Sequence, residues 1–335
     1  MISLLIVNYR SAALAADAIR SARAATNAPL QIVVVDNSVD SAEAAALQPL
    51  ADVVITPQTN VGYASAINLG RRSCDAQTLI VSNPDVVFAA GALDRLHDAL
   101  TEAAVGGPAL YWDDAHEWML PPADLNSTIE KLDEVLATRA HNWFEQRDRR
   151  RIRKRLAFWS IDRITEVKAL SGAVMAIRAD DFDAVGGFDE RFRLYFEEID
   201  FLRRMTDRGR RIVYVPGAKC RHLYNQSAGQ DSAAAGAAYA QSELQYLEKW
   251  SGPFAARLLK RLERAPHVPE PLRLQGPIVL EDTNVLVEVS PLPTFATAAG
   301  HFPRTNRVDL PAEVWTSSGA QPLYYRVVPG IKSTA

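Results

Sequence analysis

The sequence predicts an α/β protein built on a mostly parallel sheet, and three observations carry that expectation. Continuous apolar runs recur at residues 2–7, 31–35 and 78–81, as strands buried on both faces require. Stretches with helical spacing separate them. The βα units are long enough for right-handed crossovers between parallel neighbours.

Taken in order, residues 2–7 are the first strand. Residues 11–25 are a helix, with Leu14, Ala18, Ile19 and Ala22 on one face. Residues 31–35 and 53–56 are the next strands, followed by a helix at 63–73, a strand at 78–81 and a helix at 91–104. The segment 112–160 breaks this rhythm with Pro121 and Pro122 and a long polar helix over 127–158. Within it, residues 147–155, from Arg147 to Arg155, hold seven basic residues and one acid, Asp148. Sheet-like runs return at 166–168 and 173–177, then helices at 179–185 and 197–208 and a strand at 211–215. A second long helix spans 232–263. Pro266, Pro269, Pro271 and Pro277 then mark a change of character, with short alternating runs at 285–289 and 323–328. The expected organisation is an α/β domain over 1–230 carrying the helical insertion 112–160, a long helix over 231–265, and a β-rich appendage or arm over 266–335.

At 335 residues, 48% hydrophobic and 23% charged, the chain suits one large globular domain plus an appendage. A net charge of −3 speaks against a nucleic-acid partner. Cys74 and Cys220 are distant and form no CxxC pattern, so buried thiols in a reducing compartment are expected. The start of the chain lacks the basic residue and cleavage site of a signal peptide. No apolar stretch reaches the ~20 residues needed to span a bilayer. A cytoplasmic location is expected, with contact at the inner face of the membrane. The basic run reads either as a solvated helix face or as a patch that attracts anionic lipid. Association with a second copy of the chain is left open.

Ligands of open α/β sheets bind outside the carboxyl ends of the strands. Asn8, Asp36 and the triplet Asn83-Pro84-Asp85 all fall at such ends. One polar residue after a strand is a turn signal, but three on parallel neighbours converge on one crevice. A phosphate loop and a glycine-rich dinucleotide turn are both missing from the chain. A diphosphate bound here therefore needs a metal or basic side chains. Asp85 suits Mg2+ or Mn2+, and His222 is a second candidate ligand. Glu197, Glu198 and Asp200 open a helix after Tyr195 and Phe196. The helix dipole favours acids there, yet three exceed what capping needs, and an acid among apolar neighbours can serve as a general base.

Six segments in order resemble bacterial inverting glycosyltransferases of family 2: Val7-Asn8-Tyr9, Val34-Val35-Asp36-Asn37-Ser38, Asn60-Val61-Gly62-Tyr63, Ser82-Asn83-Pro84-Asp85-Val86, Ser171-Gly172-Ala173, and Gly187-Phe188-Asp189 with Tyr195-Phe196-Glu197-Glu198-Ile199-Asp200. The resemblance covers about residues 2–230 and is greatest to the rhamnosyltransferase-like branch. It implies the GT-A fold, a Rossmann-like sheet flanked by helices, and a place in cell-wall or surface-polysaccharide synthesis.

By that resemblance Asn8, Tyr9, Asp36, Asn60, Gly62 and Asn83 line the nucleotide site, and Ser171, Gly172 and Ala173 the sugar pocket. Asp85 and His222 hold Mg2+ or Mn2+, and Glu198 or Glu197 is the base. The donor is a dTDP- or UDP-sugar, dTDP-rhamnose first. The acceptor is a glycan or a polyprenyl-diphosphate-linked sugar. Two positions depart from the pattern. Asn83 stands where the metal motif commonly has Asp, and Glu198 stands where the base is usually Asp. Those departures keep open a second reading, a nucleotide-sugar-binding protein that no longer transfers. A nucleotidyltransferase would want a glycine-rich basic loop, which Asn8-Tyr9-Arg10 does not supply.

Overall fold

The computed structural model describes residues 1–223, 232–265, 270–319 and 321–329. The first half of the chain alternates strictly: β1 (Ile2–Asn8), α1 (Ala12–Ala24), β2 (Leu30–Asp36), α2 (Ser41–Leu47), β3 (Val53–Ile55), α3 (Tyr63–Arg71) and β4 (Thr78–Ser82). These strands lie in the order β3-β2-β1-β4 with every pairing parallel. The register sets Asn8 directly beside Asp36, so the first two strand-end residues meet by construction.

Next come β5 (Val86–Phe88), α4 (Ala92–Ala99), β6 (Val105–Tyr111), α5 (Thr128–Ala137), α6 (His141–Trp159), β7 (Thr165–Glu166), β8 (Val174–Arg178), α7 (Ala179–Ala184), α8 (Glu197–Asp207) and β9 (Ile212–His222). β8 enters antiparallel between β4 and β6, β9 lies parallel to β6, and β5 and β7 pair antiparallel with β9. Strands β1, β2, β3, β4, β6 and β9 thus run one way against β5, β7 and β8, a mostly parallel sheet.

Both faces of this sheet are buried, which is why its strands read as unbroken apolar runs. Ile2, Leu4, Ile6, Ile32, Val34 and Ile80 point into one core with α1 and α4. Leu5, Val7, Val33, Val35, Leu79 and Val81 point into the other, with α3, α7 and α8. Cys74 and Cys220 are free buried thiols, and burial pushes the Cys74 thiol up to about 12.

Three expectations are corrected. The helix drawn over 127–158 is two, α5 and α6, separated where Ala140 turns extended (φ −135°). The helix drawn over 232–263 is also two, α9 (Ser232–Ser251) and α10 (Pro253–Leu262), broken at Gly252 (φ 82°) ahead of Pro253. The strand drawn to end at 215 runs on to His222. Its register with β6 jumps between Pro108 and Ala109, which face Val215 and Lys219, so Pro216 and Gly217 sit in an irregularity and end nothing.

The remaining chain forms β10 (Leu272–Arg273), β11 (Ile278–Val279), β12 (Val285–Ser290), β13 (Ala299–His301), β14 (Arg307–Val308), α11 (Ala312–Ser318) and β15 (Tyr324–Pro329). A four-stranded sheet β10-β15-β12-β13 and the pair β11-β14 close over Trp112, Trp118 and Leu120. Met119 bridges Tyr111 of β6 and Gly300 of β13, and a Cβ at Gly300 would lie 2.3 Å from the Trp159 ring of α6. The boundary drawn at 230, and residues 266–269 just past the one drawn at 265, lie outside the described residues.

The basic run on α6 is largely ion-paired, and one of its members is buried. Arg155, 3% exposed, meets Glu288 of β12 at 2.7 Å, and Glu288 also takes Arg326 at 2.6 Å. Arg147 and Arg150 pair with Asp133, and Lys154 with Asp124. Arg149 and Arg153 are exposed, with Arg149 3.5 Å from Glu145. Arg149, Arg150, Arg153 and Lys154 keep exposed side chains along one side of the helix. Nearby, Glu134, Glu243 and Glu263 bring carboxylate oxygens within 4.8 Å of one another. The Lys131 ammonium sits among them at 3.2, 2.7 and 2.7 Å, so that cluster's charge is already met by a cation.

Candidate active site

The crevice begins at β1 and β2. Asn8 is fully buried, and its amide donates to Asp36 Oδ1 at 3.0 Å, Ser38 Oγ at 3.3 Å and Glu43 Oε2 at 2.9 Å. Its carbonyl accepts from Ser11 at 3.0 Å. Asn8 is thus a buried strut that fixes the loop after β2. Asp36 Oδ1 also accepts from the Ser38 backbone and hydroxyl, which concentrates the structural bonds on one oxygen of that carboxylate. Tyr9 is half-buried beside the strut, with the Arg10 guanidinium 5.4 Å from its ring centre.

The second wall is the turn before α3. Asn37 donates to the Gly62 carbonyl and accepts from the Val61 N–H, while Asn60 accepts from the Gly62 N–H. Gly62 holds φ 87°, ψ 168°, and a Cβ there would lie 2.7 Å from Arg193 Cγ and 2.8 Å from its carbonyl oxygen. Glycine is required on both counts. Gly62→Ala should cost about 1–3 kcal/mol and raise the KM for donor more than it lowers kcat. Thermal unfolding and donor titration measure both, and an unchanged Tm refutes the strain. Arg193 joins this turn to the acid loop, since its guanidinium donates to the Asn60 carbonyl and its own carbonyl accepts from the Tyr63 N–H.

β4 delivers the third element. Asn83 hangs from β8 through its N–H to the Ala173 carbonyl at 2.9 Å and accepts from the Tyr63 hydroxyl at 3.2 Å. Two residues on, Asp85 is 5% exposed and its Oδ1 lies 3.4 Å from His222 Nε2. Adjacent register on β5 and β9 makes that approach, with Val86 opposite His222. A carboxylate and an imidazole this close can share one divalent ion, whose ligands sit roughly 3 Å apart around bonds of about 2.1 Å.

The acids come from a separate turn. Tyr195 and Phe196 both hold φ 70°, a left-handed conformation that costs non-glycine residues and clusters at functional sites. It survives because Phe196 is packed among Phe192, Ile199 and Tyr246. This turn launches α8 with Glu197 and Glu198 in its first turn. Glu197 is 5% exposed, and Glu198 is half-buried against Gly172, where any Cβ would lie 2.9 Å from Glu198 Cγ. One carboxylate oxygen of each, Oε2, is buried and without a hydrogen-bond partner among the described residues. Burial pushes both carboxyls above the usual range, and the Glu198 charge adds to the rise at Glu197. Burial followed by the charges of Glu197, Glu198 and Asp85 likewise raises Tyr63, which ties both sides of the crevice to one field.

Asp200 is different. It is fully buried and spoken for by Arg204 at 2.8 Å, Lys249 at 2.6 Å and Trp250 at 2.9 Å. Lys249 also reaches Asp189 at 2.8 Å. The third acid of the cluster therefore anchors α9 beneath the acid loop.

The contacts link Asn8 to Asp36, Asn60 to Gly62, Tyr63 to Asn83, Asp85 to His222 and Gly172 to Glu198. Ser171 caps the turn by accepting from the Ala173 N–H. The Ala173 side chain instead lies in the core, leaving only its carbonyl to act there. Tyr63, Glu43 and Arg193 contribute without having been assigned roles from sequence. Tyr63 stood inside a recognised segment, Glu43 has a signal in the Asp40 N-cap that precedes it, and Arg193 has none. Behind Phe196, a cavity of about 200 Å³ opens between α5, α6 and α9, lined by Lys131, Arg147, Arg151, Lys154 and Glu243 among others.

Two glutamates with buried, unbonded oxygens and a close carboxylate–imidazole pair are suited to group transfer, and the comparisons say which kind. The profile described as "Glycosyltransferase like family 2" matches residues 1–239. The chain belongs to that family, and is a glycosyltransferase of GT-A fold. It is 30% identical over 255 residues to the N-acetylglucosaminyl-diphospho-decaprenol L-rhamnosyltransferase of Mycobacterium tuberculosis, in strains CDC 1551 and H37Rv, covering 70% of this chain and 80% of the relative. Among solved structures it is similar to the mannosyltransferase PcManGT from Pyrobaculum calidifontis in complex with GDP-Man and Mn2+, at 13% identity and TM-score 0.49, covering 77% of this chain and 69% of that one. It is also similar to GalNAc-T7 with UDP, GalNAc and Mn2+, at 16% identity and TM-score 0.47, covering 67% and 44%. No helix among the described residues is long and apolar enough to cross a membrane.

Proposed function

We propose that this glycosyltransferase moves L-rhamnose from dTDP-rhamnose onto a hydroxyl of a polyprenyl-diphosphate-linked sugar at the inner face of the membrane, inverting the anomeric carbon. The observation that carries the chemistry is the buried pair Glu197 and Glu198, each with an oxygen free to take a proton. The mycobacterial relative, acting on a decaprenol-linked sugar, supports the sugar and the acceptor class.

The nucleotide lies along the ends of β1 and β2, where Asn8 fixes the loop and Asp36 meets the ribose or base. The Asn60–Gly62 turn closes over it, and Ser171 and Gly172 border the sugar. Asp85 and His222 would hold Mg2+ or Mn2+, which neutralises charge on the leaving diphosphate when bound. Glu198 takes the proton of the acceptor hydroxyl. That oxygen forms its bond to the anomeric carbon as the bond to the donor phosphate breaks, and the electron pair leaves with the diphosphate. One displacement inverts the configuration, with no enzyme-linked intermediate.

Purified protein assayed with dTDP-rhamnose, UDP-glucose and UDP-galactofuranose on one polyprenyl-diphosphate-linked acceptor tests this. Transfer from dTDP-rhamnose alone, giving the inverted linkage by NMR, is expected. Binding of UDP-sugars without dTDP-sugars overturns the donor, and a retained configuration overturns the mechanism.

A further inference from the structure

α5 and α10 lie side by side and run the same way. Thr128 and Ser251 share a hydrogen bond at one end, and Arg139 donates to the Leu262 carbonyl at 2.9 Å at the other. Their inner faces, Lys131 and Val135 on α5 and Ala256 and Leu259 on α10, are buried, and Lys131 reaches Glu243 of α9. Their outer faces carry Ile129 at 79% exposure, Leu132 at 44%, Phe254 at 82% and Leu258 at 45%. Exposed Arg139, Arg257 and Arg261 lie among them. On α10 the positions 254, 257, 258 and 261 fall on one side of the helix.

The charge is one-sided. Glu130 is turned to Ser127, Asp133 to Arg147 and Arg150, and Glu134 and Glu263 to Lys131. Glu248 of α9 approaches this face, 3.4 Å from Arg257, whose side chain stays 75% exposed. Large apolar tips set among guanidiniums, with the neighbouring carboxylates engaged by other groups, match an interfacial helix face: the tips enter the acyl boundary while arginine meets phosphate headgroups.

We propose that the α5–α10 face docks this enzyme on an anionic bilayer surface. The proposal rests in part on the lipid-linked acceptor, because such a substrate keeps its tail in the bilayer while its sugar reaches the acids. Phe196, which immediately precedes the acids in sequence, lines the cavity between α5, α6 and α9, so α5 lies beside the turn that launches α8. The exposed basic residues of α6, Arg149 and Arg153 among them, are not the contact.

Sedimentation with vesicles of equal parts phosphatidylcholine and phosphatidylglycerol, at physiological salt, tests the face. The wild type should co-sediment. The doubles Phe254→Asp/Leu258→Asp and Arg257→Glu/Arg261→Glu should each lower vesicle affinity by about tenfold or more, as should the milder Phe254→Ser in part. Arg149→Glu/Arg153→Glu should bind as the wild type does. Melting curves check folding, and turnover of a short water-soluble acceptor should be unchanged in all of them. That turnover reports the transferase reading separately, so either idea can fail alone. Wild-type protein left in the supernatant, α10 variants that bind normally, or loss only in the Arg149/Arg153 variant each overturn the proposal. Self-association abolished by the α10 variants, without vesicle binding, would assign the face to a second copy instead.

Discussion

Glu198→Gln should lower the transfer rate by about 10²–10⁴-fold, the usual worth of a general base, with donor affinity unchanged. The substitution keeps the shape that packs on Gly172 and removes only the proton acceptor. Glu197→Gln is the comparison: Glu197 is the more buried acid, so its loss should act mainly through the electrostatics of its neighbour and cost less. The pH dependence follows from the raised pKa. A base works deprotonated, so activity should fall as pH drops through a value above the roughly 4.3 of an exposed glutamate. Burial is what raises Glu198, so Glu197→Gln should leave the acidic limb nearly in place. Stability runs the other way. A carboxyl whose folded pKa exceeds its unfolded one stabilises the fold only at low pH and loses that contribution as pH rises through the folded value. Above the folded value the charged acids destabilise the fold, and there either Gln variant should melt higher than the wild type. A slower but no more stable Glu198→Gln would contradict the buried-charge account. A full rate in both variants would remove the base assignment.

Asp85→Ala should abolish the Mn2+-induced rise in Tm and cut transfer on the order of 10³-fold, the equivalent of several kcal/mol of charge stabilisation. The fold should persist, because β5 retains Val86 and Phe88 in the core. His222→Ala should weaken metal affinity less, since it leaves the carboxylate, which is the harder ligand. The thermal readout needs no turnover, so it separates loss of metal from loss of some later step. Wild-type activity surviving a chelator, or an Asp85→Ala protein that still gains stability from Mn2+, would refute the assignment.

Much of this fold was legible because the sheet is buried on both sides. Its strands had no polar face to satisfy, so residues 2–7, 31–35 and 78–81 announced themselves. β6 did not, since Gly106, Gly107 and Pro108 look like breakers. Yet Gly107 is there because a Cβ would lie 2.6 Å from Leu170, and Pro108 sits at the register shift with β9. The insertion of β8 antiparallel between β4 and β6 could not be read either, because local pattern says nothing about strand order. At the site, the polar strand ends pointed to one crevice, and Asn8 and Asp36 do touch. What their chemistry is could not be read from type alone. Asn8 is a strut, and Asp200, which looked like part of an acid trio, is neutralised by Arg204 and by Lys249, some fifty positions later, with a hydrogen bond from Trp250. Only the folded chain brings those charges together.

That distant partnership matters for anyone who would cut or swap this protein. The stretch that carries the family's signature stops at residue 239, partway along α9, whereas the ammonium and indole that hold Asp200 come from Lys249 and Trp250. A fragment trimmed to the recognisable part would leave a fully buried carboxylate with only Arg204 and would strip Tyr246 from behind Phe196. The turn that aims the acids would then relax. Kinship and self-sufficiency have different borders here, and a chimera exchanging the sugar-handling part should carry the donor protein's helix through Leu262.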